Sequence, residues 1–176
     1  MHRLFVAVEP PMIIRDALLA GMGGVAGARW QRDDQLHLTL RFIGEVDRHA
    51  GADITAALGA VHHPGFDLTL TDAGVFDRRG RVGSLWIGVA PYPPVAALHH
   101  KVDAALLRVG VPPDARAYRP HITIARFGRE QAGAAAFVPL VPLVGTAFRV
   151  DQFALYESSL GHDGADYRVC ERYTLD

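Results

Sequence analysis

Apolar residues in this chain fall into short alternating runs and a few stretches with helical spacing. Residues 4–9, an apolar run through Val8 followed by Glu9, read as a short buried strand closed by Pro10-Pro11. Residues 12–22 place Ile14, Leu18, Leu19 and Met22 at helical spacing and stop at Gly23-Gly24. Alternation over residues 36–43 predicts a strand ended by Gly44. A second helix is expected over 47–61, and strands over 66–71 and 84–89. Residues 95–109 carry Leu98, Val102, Ala105, Leu106 and Val109 on one face, with Gly110 just beyond, and predict an amphipathic helix. A strand introduced by Pro120 follows over 121–127. Late strands over 148–156 and 167–175 flank a turn through Gly161 and Gly164. This order predicts an α+β fold rather than a doubly wound one. The Ala- and Pro-rich stretch 128–145 suits a short helix plus loop. No long linker interrupts the pattern, so residues 1–176 read as a single domain of two lobes sharing one core.

The pattern repeats. A strand reading His37-Leu38-Thr39-Leu40 recurs 84 residues later as His121-Ile122-Thr123-Ile124, which predicts two similar lobes related by a pseudo-twofold axis. On a strand, residues two apart share a face. His37 and Thr39 therefore point one way while Leu36, Leu38 and Leu40 point into a core, and His121 and Thr123 likewise stand opposite Ile122 and Ile124. One such motif is an ordinary wet strand face. Two copies on facing lobes bring two imidazoles and two hydroxyls to one cleft. That set suits phosphodiester chemistry: one His takes a proton from the attacking oxygen and the other returns one to the leaving oxygen. The Thr hydroxyls hydrogen-bond the phosphoryl oxygens as charge shifts. A catalytic zinc usually takes three protein ligands, and Asp33, Asp34, Glu45 and Asp114 stand at no ligand spacing from either His, so no metal and no cofactor are expected.

Other candidates each carry two readings. Strict alternation sets Arg126 on the opposite face from His121. It clamps phosphate only if the strand ends or bulges near Ala125; otherwise it is a surface Arg. Trp30 and Phe42 are candidates for base stacking, although alternation groups Phe42 with Leu38 and Leu40 in the core. The loop Phe76-Asp77-Arg78-Arg79-Gly80-Arg81 either touches an RNA backbone or is a plain hairpin turn. His99 and His100 lie on the amphipathic helix and read as surface residues.

Composition narrows the partners. The formal net charge of −1 argues against a broad nonspecific nucleic-acid surface but leaves room for a local basic cleft. Lys101 is the only Lys among the cations; Arg usage reflects either a GC-rich coding sequence or guanidinium recognition of phosphate. The single cysteine, Cys170, reads as structural and fits a reducing compartment. The apolar run at the N-terminus is too short for a leader or a membrane span, so a cytoplasmic protein without membrane contact is expected.

His-Leu-Thr-Leu-Arg-Phe-Ile-Gly (37–44) and Arg-Pro-His-Ile-Thr-Ile-Ala-Arg (119–126) together resemble the signature of the 2H phosphoesterases. The chain is most similar to the bacterial and archaeal RNA 2′,3′-cyclic phosphodiesterases, first named 2′-5′ RNA ligases. Arg-Leu-Phe-Val-Ala-Val (3–8), Trp30, Gly74-Val75-Phe76, Leu85-Trp86-Ile87-Gly88-Val89 and Tyr156-Glu157-Ser158-Ser159-Leu160 support the resemblance. It implies a bilobal α+β fold with two pseudo-twofold-related antiparallel sheets, flanked by helices, around a central cleft. It implies metal-independent opening of 2′,3′-cyclic phosphates on RNA ends or cyclic nucleotides to 2′-phosphates, with reversible 2′-5′ RNA ligation as a further activity. It assigns His37 as proton donor, His121 as proton acceptor, Thr39 and Thr123 to the phosphate, and Arg126 to assist. A monomer is expected. Two other readings stand beside it: a nucleotide- or RNA-binding module without turnover, and the same chemistry on 2′-5′ oligonucleotides or a small cyclic nucleotide.

Overall fold

The computed structural model describes residues 1–78, 81–128, 145–161 and 164–176. Among these the chain runs β1 (His2–Val8), α1 (Met12–Ala20), β2 (Ala28–Trp30), β3 (Leu38–Val46), α2 (Arg48–Gly59), β4 (Phe66–Arg78), β5 (Arg81–Ala90), α3 (Tyr92–Arg108), β6 (His121–Phe127), β7 (Ala147–Val150), β8 (Gln152–Gly161) and β9 (Gly164–Thr174). The tip of the basic loop at 79–80, nearly all of the Ala- and Pro-rich stretch, and the centre of the Gly161–Gly164 turn lie outside the described residues.

Local chemistry sets the helix starts. Asp47 caps α2, its carboxylate accepting the Ala50 N–H at 2.9 Å. Helix α3 begins at Tyr92 rather than Val95. Pro93 and Pro94 sit in its first turn, where the backbone N–H has no helical partner to lose.

The strands pair antiparallel in the order β7-β4-β5-β6-β3-β1-β8-β9, with β2 also paired to β6. The order divides into β7-β4-β5-β6 and β3-β1-β8-β9, with the motif strands β6 and β3 innermost. The two expected sheets are thus continuous, joined between β3 and β6 at the pair Leu38 and Ile122. The expected strand over 148–156 divides at Asp151: β7 pairs with β4, while β8 crosses to the other half and pairs with β1.

All three helices cover one face. Ile14 and Leu18, Ile54 and Leu58, and Leu98, Val102 and Leu106 pack with Leu38, Leu40, Ile122 and Ile124 in the main core. Each such fully buried side chain contributes about 1.5–3 kcal/mol of transfer free energy. The opposite face carries a small cluster of Phe5, Ala7, Ala154 and Tyr156. This one-sided burial pins the register, since a one-residue slip of β3 would exchange Leu38 and Leu40 for Thr39 and its neighbours. Among the described residues, no helix is long and apolar enough to cross a membrane.

Candidate active site

The two motifs lie side by side at the join of the halves. Leu38 pairs with Ile122, and the antiparallel sense sets His37 beside Thr123 and Thr39 beside His121. Leu38 and Ile122 are fully buried, so the four polar residues share the uncovered face. The two His are diagonal neighbours, a relation that separates backbones by about 7–8 Å. That leaves room for a phosphoryl group between two imidazoles. A cleft of about 620 Å³ opens there, lined by His37, Thr39, His121, Thr123, Phe42 and Arg126 among others.

Two bulges complete the set. On β3 the register with β1 passes from Thr39 opposite Ala7 to Arg41 opposite Val6, skipping Leu40. On β6 the register with β5 passes from Thr123 opposite Trp86 to Ala125 opposite Leu85, skipping Ile124. The skipped residues stand at the same place in the repeat. Each bulge turns two successive side chains inward, Leu40 with Arg41 and Ile124 with Ala125. The next residue then faces the cleft, and it is Phe42 in one half and Arg126 in the other. The break that Arg126 required is therefore present. Phe42 is 48% exposed and not in the core, contrary to the alternation.

Burying Arg41 calls for compensation. Its guanidinium donates to Asp103 (2.7 Å), to the Phe42 carbonyl (2.7 Å) and to the Pro112 carbonyl. His99 Nδ1 donates to the Leu40 carbonyl at 2.8 Å and the Tyr118 hydroxyl to the Thr39 carbonyl at 3.3 Å. His99 is therefore half-buried support for the bulge, not a surface residue. Asp103→Ala is expected to cost about 3 kcal/mol, because it strips the partner from a buried charge; a denaturant melt checks it.

Each catalytic candidate has its own brace. The 3-10 turn Asp33–Gln35 delivers His37, and buried Gln35 donates from Nε2 to the Ala165 carbonyl of β9 at 2.7 Å. The Gln35 carbonyl accepts His37 Nδ1–H at 2.7 Å, and the Arg119 carbonyl accepts His121 Nδ1–H at 2.6 Å. Both rings thus turn Nε2 outward with one fixed tautomer. Phe5 and Tyr167 flank His37 with ring centres at 4.9 and 5.2 Å, and Phe76 stands 4.8 Å from His121. Trp86 lies 6.1 Å from His121, seated over Gly74, where a Cβ would come within 2.4 Å of the indole. Pattern reading missed these aromatic walls, because each ring comes from a strand distant in sequence.

Burial lowers both imidazole pKa values, that of His37 to about 4. The Arg126 charge pushes each further down, and the carbonyl bonds oppose it. Charge on His121 also disfavours charge on His37. Both rings are therefore neutral acceptors at pH 7 in the open site.

Trp30 is not brought to the cleft. It registers with Ala125 on the helix-covered side and packs against the main core. Cys170 is exposed on β9 rather than buried.

Comparison with known proteins bears on this geometry. Residues 24–162 match the model of the 2′-5′ RNA ligase superfamily. The chain is 32% identical over 178 residues to the RNA 2′,3′-cyclic phosphodiesterase of Escherichia coli K12, covering 99% of this chain and 97% of that protein. The E. coli LigT structure complexed with 3′-AMP superposes with a TM-score of 0.83 at 30% identity, over 99% of this chain and 98% of that one. The TT0787 structure of Thermus thermophilus gives 0.85 at 28% identity, over 98% and 97%.

Proposed function

The chain belongs to the 2′-5′ RNA ligase superfamily, and from that premise we propose that it opens RNA 2′,3′-cyclic phosphates to 2′-phosphates by two-histidine acid–base catalysis. The single observation that carries the reading is the antiparallel juxtaposition of the two motifs at Leu38 and Ile122, which puts both imidazoles and both hydroxyls on one open face. Its relatives bear the name RNA 2′,3′-cyclic phosphodiesterase, and the donor set here is the one that reaction needs.

The cyclic diester binds between the rings, with Thr39, Thr123 and Arg126 on its non-bridging oxygens. The diester anion offsets the Arg126 charge and lets one imidazole hold a proton. His121 Nε2 takes a proton from water as the water oxygen bonds to phosphorus. The bond from phosphorus to the 3′-oxygen breaks, and His37 Nε2 supplies the proton that oxygen needs. The product is a 2′-phosphate. The rings end with exchanged protonation and reset through solvent. With a 5′-hydroxyl in place of water, the same steps in the same direction join two RNA ends 2′-5′ and free the 3′-hydroxyl; run backwards, they cleave that linkage to the cyclic phosphate. The division of roles rests on the resemblance of the motifs. Lone Cys170 supports a reducing, cytoplasmic setting.

The test is hydrolysis of 2′,3′-cyclic nucleotides with excess EDTA. Turnover to the 2′-phosphate at an unchanged rate is expected. Loss of activity on chelation overturns the metal-independent mechanism, and a 3′-phosphate product overturns the assignment of the leaving oxygen.

A further inference from the structure

Each catalytic imidazole takes its aim from a carbonyl two residues upstream, Gln35 for His37 and Arg119 for His121. The two halves secure that carbonyl differently. In the second half the next residue is Pro120, which restricts Arg119 to extended backbone. Covalent geometry alone then fixes the carbonyl, and the Arg119 side chain lies exposed. The residue at the matching place in the first half, 84 positions earlier, is Leu36. Gln35 there closes a 3-10 turn, a conformation that a following proline disfavours. Building on the two-histidine reading of the cleft, we propose that the buried side chain of Gln35 takes the part that Pro120 plays in the other half: Gln35 is the positioning residue that holds His37 in line to give its proton to the leaving oxygen.

Three consecutive residues of β9 grip the turn that carries His37. The Ala165 carbonyl accepts Gln35 Nε2–H at 2.7 Å, the Asp166 carboxylate accepts Arg32 Nη2–H at 2.7 Å, and the Tyr167 ring meets the His37 ring edge-on at 5.2 Å. Gln35 Oε1 accepts the Arg32 backbone N–H at 3.0 Å. One side-chain amide thus ties both ends of the turn to the opposite strand.

Magnitude ranks these contacts. The Arg32–Asp166 pair is well exposed on both sides, and such pairs contribute little. Gln35 is buried with both polar groups of its side chain bonded, and a buried group that loses its partner is the costly case. Loss of the amide therefore releases the carbonyl that aims the ring. His37, Ala165 and Tyr167 line the cleft while Gln35 does not, so Gln35 acts through His37 and not on the substrate.

The test uses Gln35→Met, which keeps the length of the side chain and loses both bonds, and Gln35→Glu, which keeps the acceptor for the Arg32 N–H. Kinetics are measured on uridine 2′,3′-cyclic phosphate and on its analogue with sulfur at the 3′ bridging position. The thiolate of the analogue is a far weaker base than an alkoxide and leaves without a proton. On the oxygen substrate Gln35→Met is expected to lower kcat about 30-fold, within the roughly 10²-fold that a misplaced group costs, and to move KM less than about threefold. On the sulfur analogue the loss in kcat is expected to stay below about threefold, since no proton is needed there. Long-range proton–nitrogen spectra at pH 7 are expected to show His37 as the Nδ1–H tautomer alone in the wild type and as a mixture in Gln35→Met. Unchanged kcat in Gln35→Met, or an equal loss on oxygen and sulfur, overturns the positioning role. Should Gln35→Met not fold, Gln35→Glu decides on the same comparison: a loss confined to oxygen supports the role and an equal loss overturns it. His37→Ala losing as much on sulfur as on oxygen overturns instead the donor role of His37. Failure of the wild type to open the cyclic phosphate overturns the reading of the cleft on which the inference rests.

Discussion

His37→Ala and His121→Ala are each expected to lower kcat/KM for a 2′,3′-cyclic nucleotide by about 10²–10⁴-fold, the span of one well-placed proton transfer. The double variant is expected to lose little more than either single one, since the two rings serve one concerted exchange and their effects do not add. Both variants should keep a cooperative melt near neutral pH. Each His lies on the face away from the main core, against aromatic walls that survive its removal. His37→Ala carries a further signature in stability. The folded-state pKa of His37 is about 4, below its unfolded value of 6.5. The folded protein therefore binds fewer protons, and the wild type loses stability as pH falls from about 6.5 to about 4. Discounted for the partial exposure of the ring, the loss is about 2 kcal/mol. The variant should lack it, so denaturant melts at pH 7 and pH 4.5 should lie closer together than those of the wild type. A variant that retains wild-type turnover removes that His from the mechanism. One whose melt collapses at pH 7 makes that His structural.

The sequence made the motifs legible and their meeting only partly so. Period-two alternation correctly separated Leu38 and Ile122 from the His and Thr beside them, because a half-buried strand has only two faces. It failed beyond Leu40 and Ile124, where each bulge adds a residue that the period cannot register. The repeat did hold a usable signal: the offset of 84 that relates His37 to His121 also relates Phe42 to Arg126, so a break that admits one to the cleft admits the other. Trp30 misleads because its closeness to His37 in sequence is not closeness in space, and β2 pairs instead with the far flank of β6. The aromatic walls and the Arg41 network were not legible at all. They depend on which strands become neighbours and on the loop at 112–118 folding back against β3, and local pattern encodes neither.

Arg126 joins the geometry to the chemistry, and two substitutions separate its roles. Arg126→Gln is expected to lower kcat by about 10²-fold or more, through loss of a charged donor to the phosphoryl oxygens. It is also expected to move both limbs of the pH profile of kcat/KM to higher pH. The sign follows from the cation itself: Arg126 disfavours the imidazolium form of both His37 and His121, so removing its charge raises both pKa values. With burial and Arg126 acting together, the wild-type optimum is expected on the acid side of the 6.5 of an ordinary imidazole. Arg126→Lys keeps the charge but loses the planar fork. It should leave the pH profile near that of the wild type while still lowering kcat. A rate loss in Arg126→Gln without movement of the profile would place the guanidinium on the substrate but too far from the rings to govern their protons. Movement without rate loss would make Arg126 a tuner of the His pair and not a phosphate ligand. The bulge at Ile124 predicts both effects together, because it brings one guanidinium onto the face that carries both imidazoles.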